Sequence, residues 1–498
     1  MESNTYDAKI VGKEFCEASG FPKLETLRFS SKHLVEWAEI VNGAFPSLRY
    51  LEFHNCENMR FVNEDLRNIS TLQELKLQVH GDLARQLLGE ENYKIKQIPK
   101  WGLNEYGKQR VCKVEVDESN PESIDFKNLE IRSLFLDAKY NHSDCDRGLS
   151  VAFMQDICKL QFLVVLRIFG VVQSIPDEVG NLVNLKFLGL AVCVNLDKLP
   201  RTLGNLQKLQ TLGLKYWGRL RELPVDVLKL QQLRHLQLGD INDLGVRVPK
   251  GIGTLVNLQT CEGVCAGYGI ANELGTLTQL RRFGANCVSE GHSSELAAAI
   301  MNMQNLLSLT LEAEGVLIDG EYRGVLPQLE NFSPPHLVQE LTLCGALIEI
   351  PSWVISMQKL TSLNLYKSYL SQDDASILQY LPKIKYLYLW EAYNAKIIGE
   401  EFCEAGGFPE LETLRFSSEH LVEWGEIVNG AFPSLRYLEF HNCENMRFVT
   451  EDLRNLSMLQ EVNFRAVHED LARQLRGEEK YKIKGMPKVM INGSYISW

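Results

Sequence analysis

The stretch that decides the fold is "SIPDEVGNLVNLKFLGL", which runs from Ser174 to Leu190. Two further versions follow, "KLPRTLGNLQKLQTLGL" and "ELPVDVLKLQQLRHLQL", and their prolines, Pro176, Pro200 and Pro224, recur at a constant interval. Each version ends in leucines that alternate with other residues, which is the pattern of a short β-strand with one buried face. Each proline suits the first position of a helical turn, because its φ is already fixed there. The chain is therefore built from units that each contain a turn and a strand.

The same L-x-x-L-x-L spacing extends far beyond these three copies, which makes it the leucine-rich repeat pattern. One such unit cannot close a core, so stacked units bury their leucines against one another. The sequence predicts an α/β fold, a leucine-rich repeat solenoid shaped as a curved horseshoe with a parallel β-sheet on its concave face. The segment 286–335 departs from the spacing and predicts a bulge or a long loop. The leucines predicted to be buried are Leu188, Leu212, Leu236, Leu363 and Leu387.

A larger repeat is superimposed on the small one. The stretch "FPSLRYLEFHNCENMRFV" occurs unchanged at Phe45–Val62 and at Phe432–Val449, inside two longer copies that match at most positions. Each copy ends in a charged segment that breaks the rhythm, as the cap of a repeat stack should. We therefore expect three parts: a duplicated three-unit block with its cap at 1–99, a linker and start of the main array at 100–128, and the main array with its C-terminal cap at 129–490.

Composition restricts the function classes. The chain has 498 residues, 45% of them hydrophobic, and a net charge of −12, which argues against nucleic acid or anionic membranes as partners. The opening "MESNTYDAKI" lacks the features of an export signal, and no apolar run approaches the length of a membrane span. The twelve cysteines are therefore expected to be reduced and mostly buried. The predicted location is cytoplasmic.

The proline blocks, together with the ending "EDLARQLRGEEKYKIKGMPKV", make the array similar to the leucine-rich domain of plant nucleotide-binding disease-resistance proteins, in particular those of cereals. This resemblance implies a role in innate immunity and a protein as the partner. Members of that family also carry a nucleotide-binding switch with a glycine-rich phosphate loop. The one near match, "GLNEYGKQ" at 102–109, has Gln109 where a Ser or Thr would hold magnesium. We expect this segment to be a linker and expect no cofactor.

Catalytic and metal-binding patterns are weak in this sequence. His235 and His441 lie at outward strand positions without a partner at catalytic spacing. Cys261 and Cys265 are spaced like some metal pairs, but no second pair follows, so buried thiols are the better interpretation. No motif places a nucleophilic serine on a tight turn. We therefore expect neither an enzyme nor a metal site.

A binding surface remains as the candidate site. The residues between and just after the last two apolar positions of each unit should face outward from the sheet. In the units from 360 to 465 they include the types that dominate protein–protein hot spots, namely aromatic residues and arginine. The candidate partner-binding residues are Tyr366, Tyr388, Trp390, Arg415, Glu439, His441 and Arg465. Arg28, Glu52 and His54 should repeat part of this surface in the first block.

Three functions are compatible with these patterns. The first is a leucine-rich domain of plant innate immunity that recognises a pathogen protein or regulates a nucleotide-binding immune receptor. The second is a general intracellular scaffold of signalling complexes. The third is the substrate receptor of a ubiquitin ligase, which would need an adaptor-binding helical domain at one end. The sequence identifies neither the partner nor the oligomeric state.

Overall fold

The structure is a computed structural model, and it forms two compact units, residues 1–220 and 221–498. It describes residues 9–11 and 21–496, with gaps at 32, 38–40, 42, 57, 65, 67–68, 80–82, 84–85, 88–93, 96–97, 99, 103–110, 117–130, 139–148, 173, 194–195, 218–219, 240–244, 268, 319–320 and 330–331.

The first unit begins with the first copy of the duplicated block. Parallel strands in the order β2-β4-β6-β7 form one sheet, and three short strands, β1, β3 and β5, form a second, smaller sheet. Between the two sheets lies an apolar core that includes Leu51, Phe53 and Trp37. The strands are β1 (Ile10–Val11), β2 (Thr26–Ser30), β3 (Glu36–Trp37), β4 (Tyr50–Cys56), β5 (Phe61–Val62), β6 (Glu74–Val79) and β7 (Lys100–Gly102).

The rest of the first unit is a second parallel ladder, in which each strand pairs with the next along the chain. Prolines begin the outer turns as predicted: Pro176 and Pro200 precede 3-10 turns at Asp177–Asn181 and Arg201–Asn205. The strands are β8 (Val111–Val116), β9 (Ser133–Ala138), β10 (Val165–Phe169), β11 (Phe187–Cys193) and β12 (Thr211–Trp217), and helix α1 spans Val151–Ile157.

The second unit repeats this architecture over more strands. Its principal sheet is parallel and contains β13–β16, β19–β21, β23, β25, β27 and β28, and one antiparallel strand, β29, pairs with β28. Strands β22, β24 and β26 form a small second sheet. The strands are β13 (His235–Leu238), β14 (Thr260–Cys265), β15 (Arg282–Val288), β16 (Ser308–Ala313), β17 (Gly315–Ile318), β18 (Glu321–Gly324), β19 (Glu340–Cys344), β20 (Ser362–Tyr366), β21 (Tyr386–Trp390), β22 (Ile397–Ile398), β23 (Thr413–Ser417), β24 (Glu423–Trp424), β25 (Tyr437–His441), β26 (Phe448–Val449), β27 (Glu461–Arg465), β28 (Lys488–Ile491) and β29 (Ser494–Tyr495).

Short helices and 3-10 turns connect the strands of the second unit on the opposite side of the leucine core. The helices are α2 (Ala271–Leu274), α3 (Ser293–Met301), α4 (Ser352–Ile355), α5 (Gln372–Ile377) and α6 (Glu469–Arg476). The 3-10 turns are Val225–Lys229, Ile252–Thr254, Glu290–His292, Leu378–Tyr380, Glu400–Phe402, Glu451–Asn455 and Lys480–Ile483.

The core confirms the leucine-rich repeat fold. All five leucines predicted to be buried are at most 1% exposed. Equivalent leucines of adjacent repeats are strand partners, as Leu188 is of Leu212 and Leu363 is of Leu387. Near the end of the array, phenylalanines take over this role, and the rings of Phe416, Phe440 and Phe464 stack with centroid separations of 6.1 and 5.4 Å.

The irregular segment 286–335 contains more order than the predicted bulge or loop. It holds the nine-residue helix α3, which buries Leu296 and Ile300, and the antiparallel hairpin formed by β17 and β18. The hairpin lies between two strands that still pair directly with each other, β16 and β19. It is therefore an insertion that leaves the ladder intact.

In the C-terminal cap, the predicted charged segment forms a helix, and a strand follows it. Helix α6 buries Leu471, Ala472 and Leu475 and keeps its charged side chains outward. After it, β28 pairs in parallel with β27, and β29 folds back against β28. The cap thus continues the sheet before it ends it.

Several predictions fall on residues that lie largely outside the described ones. These are the cap of the first block at 80–99, the linker at 100–128 and most of the segment 102–109. The sheet that ends at β7 and the ladder that begins at β8 are separate among the described strands. The three-part division of the chain remains a prediction.

Candidate functional site

The seven candidate residues lie on five strands that are neighbours in one sheet: β20, β21, β23, β25 and β27. They occupy the face of the sheet opposite the leucine core, because leucine and phenylalanine fill the alternate positions of each strand. We call the outward side chains of these strands the aromatic–arginine face. It comprises Tyr366, Tyr388, Trp390, Arg415, Glu439, His441 and Arg465.

The strand register places these residues in two columns. In the first column Tyr388 pairs with Arg415, and Arg415 pairs with Glu439. In the second, Tyr366 pairs with Trp390, and further along His441 pairs with Arg465. The two columns are two residues apart along each strand, so they lie side by side on one surface.

The second column is aromatic. The rings of Tyr366 and Trp390 are stacked with centroids 6.1 Å apart, and the Trp390 ring meets the His441 ring edge-on at 5.2 Å. All three side chains are partly exposed. Side chains held by ring contacts of this kind offer a large contact area at low entropic cost.

The first column is organised around a buried carboxylate. Glu439 is only 4% exposed, and the sequence had placed it among the partner-contacting residues. Arg415 Nε lies 2.9 Å from Glu439 Oε2, and Arg465 Nη1 lies 3.4 Å from Glu439 Oε1. Two arginines therefore cover Glu439, and its carboxylate positions the guanidinium groups, which are the parts left open to solvent. A direct contact of Glu439 with a partner stays a prediction.

Two further residues belong to this cluster and were missed in the sequence. The Tyr437 hydroxyl donates to Glu439 Oε2 at 3.0 Å, and Asn463 Nδ2 donates to Tyr437 Oη at 2.7 Å. Burial raises the pKa of Tyr437, and the negative charge of Glu439 adds to this, so the hydroxyl keeps the proton that it donates. Asn463 is the strand partner of Glu439, so its position in the repeat of the sequence could have identified it.

Arg415 is held from three sides. Its guanidinium carbon lies 5.2 Å from the ring centre of Tyr388 and 5.1 Å from that of Tyr437, in addition to the ion pair with Glu439. Its side chain remains 38% exposed. Cation–π contacts and a buried counter-ion fix the direction of this cation, so it can meet a partner without further ordering.

The first block reproduces part of this arrangement. Arg28 Nε lies 3.0 Å from Glu52 Oε2, and the Tyr50 hydroxyl donates to Glu52 at 2.9 Å. The position of Asn463 is taken by Lys76, whose ammonium lies 5.3 Å from the Tyr50 ring centre. The Arg28 side chain is 68% exposed. His54 is exposed at the end of the same cluster.

Other chemistry is sparse in the described part of the chain. Within it, no group of three or more His, Cys, Asp or Glu side chains could hold a metal ion. His235 Nδ1 lies 3.1 Å from the Thr260 hydroxyl, which gives that ring a polar partner on the sheet. Among the described helices, none is long and apolar enough to cross a membrane.

Comparisons with known proteins agree with this architecture. The family model described as "Leucine-rich repeat region" matches residues 147–484. The disease resistance protein RPM1 of Arabidopsis thaliana is 28% identical over 250 residues, which cover 49% of this chain and 26% of that protein. The disease resistance RPP8-like protein 3 of the same plant is 26% identical over 347 residues, which cover 68% of this chain and 37% of that protein. The chain thus spans only 26% to 37% of the length of these relatives.

Solved leucine-rich repeat structures also align with the chain. The protein LIC12759 of Leptospira interrogans has a TM-score of 0.40 at 16% identity, covering 85% of this chain and 92% of that one. The leucine-rich ectodomain of the Arabidopsis thaliana receptor kinase GASSHO1/SCHENGEN3 has a TM-score of 0.35 at 16% identity. The match covers 89% of this chain and 62% of that one.

Proposed function

The chain belongs to the leucine-rich repeat region family, and from this premise we propose that it is a recognition module of plant defence. It binds a pathogen protein, or a domain of a nucleotide-binding immune receptor, through the aromatic–arginine face. The similarity to disease resistance proteins supports the setting. The arrangement of Trp390, Arg415 and their neighbours supports the mode of binding.

The observation that carries the proposal is the pre-ordering of exposed hot-spot residues. Arg415 is fixed by two rings and by the buried carboxylate of Glu439, and Trp390 is fixed between Tyr366 and His441. A face that serves only to contact solvent needs no such support, because exposed charges and rings cost little when left free. Pre-ordering of this kind lowers the entropic cost of binding.

The face also indicates the chemistry of its partner. The two arginines share one carboxylate, so the cluster of Arg415, Arg465 and Glu439 carries one excess positive charge beside the aromatic column. It fits a protein surface that presents a carboxylate next to an apolar or aromatic side chain. An arginine that is already oriented can pair with such a carboxylate in bidentate fashion.

A plant assay tests the proposed function. The full chain is expressed transiently in leaves that are then inoculated with a pathogen, and pathogen growth and defence-associated cell death are measured. We expect the wild-type chain to change the response, and the double variant Trp390→Ala, Arg415→Ala to lose that effect. Lys208→Ala, on the exposed side of an outer turn, is the matched control. A wild-type chain without effect, or a double variant equal to wild type, would contradict the proposal.

A further inference from the structure

Two cysteines meet across neighbouring strands, away from the aromatic–arginine face. Cys265 ends β14 and is the Cα partner of Asn286 in β15, and Cys287 follows Asn286 directly. In a regular strand the Cys287 side chain would point to the opposite face of the sheet. However, Cys287 has a φ of 57°, and the pairing of β15 with β16 shifts register between Ala285 and Val288. With this left-handed conformation the Cys287 thiol lies near Cys265, and each thiol shifts the pKa of the other.

The backbone spacing suits a covalent bond between the two sulfurs. A residue one position beyond the direct partner on an adjacent strand has its Cα about 6 Å away, from the strand separation and the rise per residue. Disulfides join Cα atoms about 4.4–6.8 Å apart. Strands β14 and β15 therefore do not have to move far for the sulfurs to bond.

The surrounding chain holds the pair in place. Gly245, at a φ of +64°, approaches so closely that a Cβ there would lie 3.2 Å from the Cys287 sulfur. The Cys265 amide donates to the Val246 carbonyl at 3.0 Å. Cys265 is 8% exposed and Cys287 is somewhat more open, so a small reagent can reach the pair from the Cys287 side.

The two thiols differ in acidity. The neighbouring Cys287 thiol, helped by the backbone of Gly267, lowers the pKa of Cys265 in spite of burial. Seven other cysteines, whose side chains the structure describes, have raised pKa values. For example, burial raises the pKa of Cys261 to about 12 and that of Cys443 to about 11. The thiolate is the reactive form of cysteine, so Cys265 is the nucleophile among these residues.

We propose that Cys265 and Cys287 are a site of reversible oxidation, which a peroxide converts to a disulfide linking two adjacent repeat units. The Cys265 thiolate attacks one oxygen of hydrogen peroxide, the O–O bond breaks, and the departing hydroxide takes up a proton to become water. The resulting sulfenic acid is attacked by the Cys287 sulfur, which loses its proton, and a second water leaves. In total, two thiols and one peroxide give one disulfide and two waters, and a dithiol reductant reverses the change.

Mass spectrometry of the full chain tests this proposal. The reduced protein is treated with hydrogen peroxide at near-stoichiometric amounts, alkylated and digested with trypsin. We expect a linked pair of peptides, residues 251–281 and 283–323, which dithiothreitol separates. Because the first peptide also contains Cys261, the variant Cys261→Ser is the matched control and should give the same link.

Single variants separate the roles of the two sulfurs. Cys287→Ser should stop the reaction at the sulfenic acid of Cys265, which dimedone traps, and Cys265→Ser should abolish both the link and the trapped product. The rate of oxidation in the wild-type chain should rise with pH and reach its plateau at a lower pH than for an ordinary thiol, because the pKa of Cys265 is lowered. A thiol with an ordinary pKa would instead continue to gain reactivity up to about pH 9.

Three results would overturn the proposal. One is oxidation of other cysteines before this pair, measured as the order of alkylation in the wild-type chain. Another is a link that survives in Cys265→Ser. The third is a peroxide-treated wild-type chain without the 251–281 to 283–323 link. The alkylation measurement uses no variant, so it stands even if a serine substitution disturbs folding.

Discussion

At the scale of single residues, Glu439 shows how a repeat protein builds a rigid polar cluster on a sheet. Its carboxylate accepts from Tyr437 and pairs with Arg415 and Arg465, which come from the strands on either side of its own. A buried carboxylate is costly without such partners. With them it aligns three strands and fixes the direction of two exposed cations.

The duplicated block supplies a matched control for this residue. Replacing Glu439 by Ala should lower the local stability of β25 by about 1–3 kcal/mol, because it removes charged hydrogen bonds and leaves polar partners unsatisfied. Replacing Glu52 by Ala should cost less than about 1 kcal/mol, because its Arg28 partner is 68% exposed and screened by solvent. Hydrogen exchange of the amides of β25 and β4 measures both. Equal losses in the two strands would contradict the role given to burial.

The sequence predicted the residue types of this site better than their geometry. The outward positions of Tyr388, Trp390 and Arg415 follow from the alternation of residues within each of their two strands. The burial of Glu439 depends on side chains from three strands, and no local pattern records that. Cys265 and Cys287 were equally hidden, since their contact requires a left-handed residue and a register shift.

At the scale of elements, the same strand occurs in two settings. The sequence "TLRFS" forms both β2 and β23. In β23, Leu414 is fully buried because β21 pairs with one edge of the strand. In β2, Leu27 is only partly buried, and β2 is an edge strand of its sheet among the described strands. The local sequence therefore sets the strand, and its neighbours set how much that strand contributes to stability.

This difference gives a second matched prediction. Leu414→Ala should destabilise its strand by about 2–5 kcal/mol, the range for fully buried leucines. Leu27→Ala should cost clearly less, about 1 kcal/mol, because less apolar surface returns to water there. Hydrogen exchange measured on individual peptides checks both values. Peptides that contain the two identical strands can be told apart, because the first copy has Lys23 where the second has Glu410. A loss at Leu27 as large as that at Leu414 would mean that β2 is covered as completely as β23.

Elements that follow the repeat were predictable, and those that leave it were not. The proline-led turns and L-x-L strands carry their own signal, and the structure confirms them. The hairpin of β17 and β18 and the last strands β28 and β29 lack that spacing. Their pairing is decided by the strands that they meet, so the sequence indicated only a loop and a cap there.

At the scale of the whole molecule, the sequence predicts that the duplicated block divides the chain. The three-part division predicts that residues 1–99 form a separate, less stable stack joined through residues 100–128. Limited proteolysis should cut within that linker and leave a resistant fragment that begins near residue 110. N-terminal sequencing of the fragment identifies the site. If the first cuts fall inside the main array, or if removal of residues 1–99 unfolds the remainder, the first block is instead an integral part of the fold.

The most direct test of recognition through the aromatic–arginine face places a photo-crosslinking amino acid on the full chain in pathogen-challenged plant tissue. One variant carries p-benzoylphenylalanine in place of Tyr388, on that face, and the control variant carries it in place of Tyr380, which is 59% exposed on an outer turn. We predict a discrete protein adduct at position 388 that Trp390→Ala abolishes, and none at position 380. An adduct at position 380 alone, or one at position 388 that does not depend on Trp390, would contradict recognition through this face.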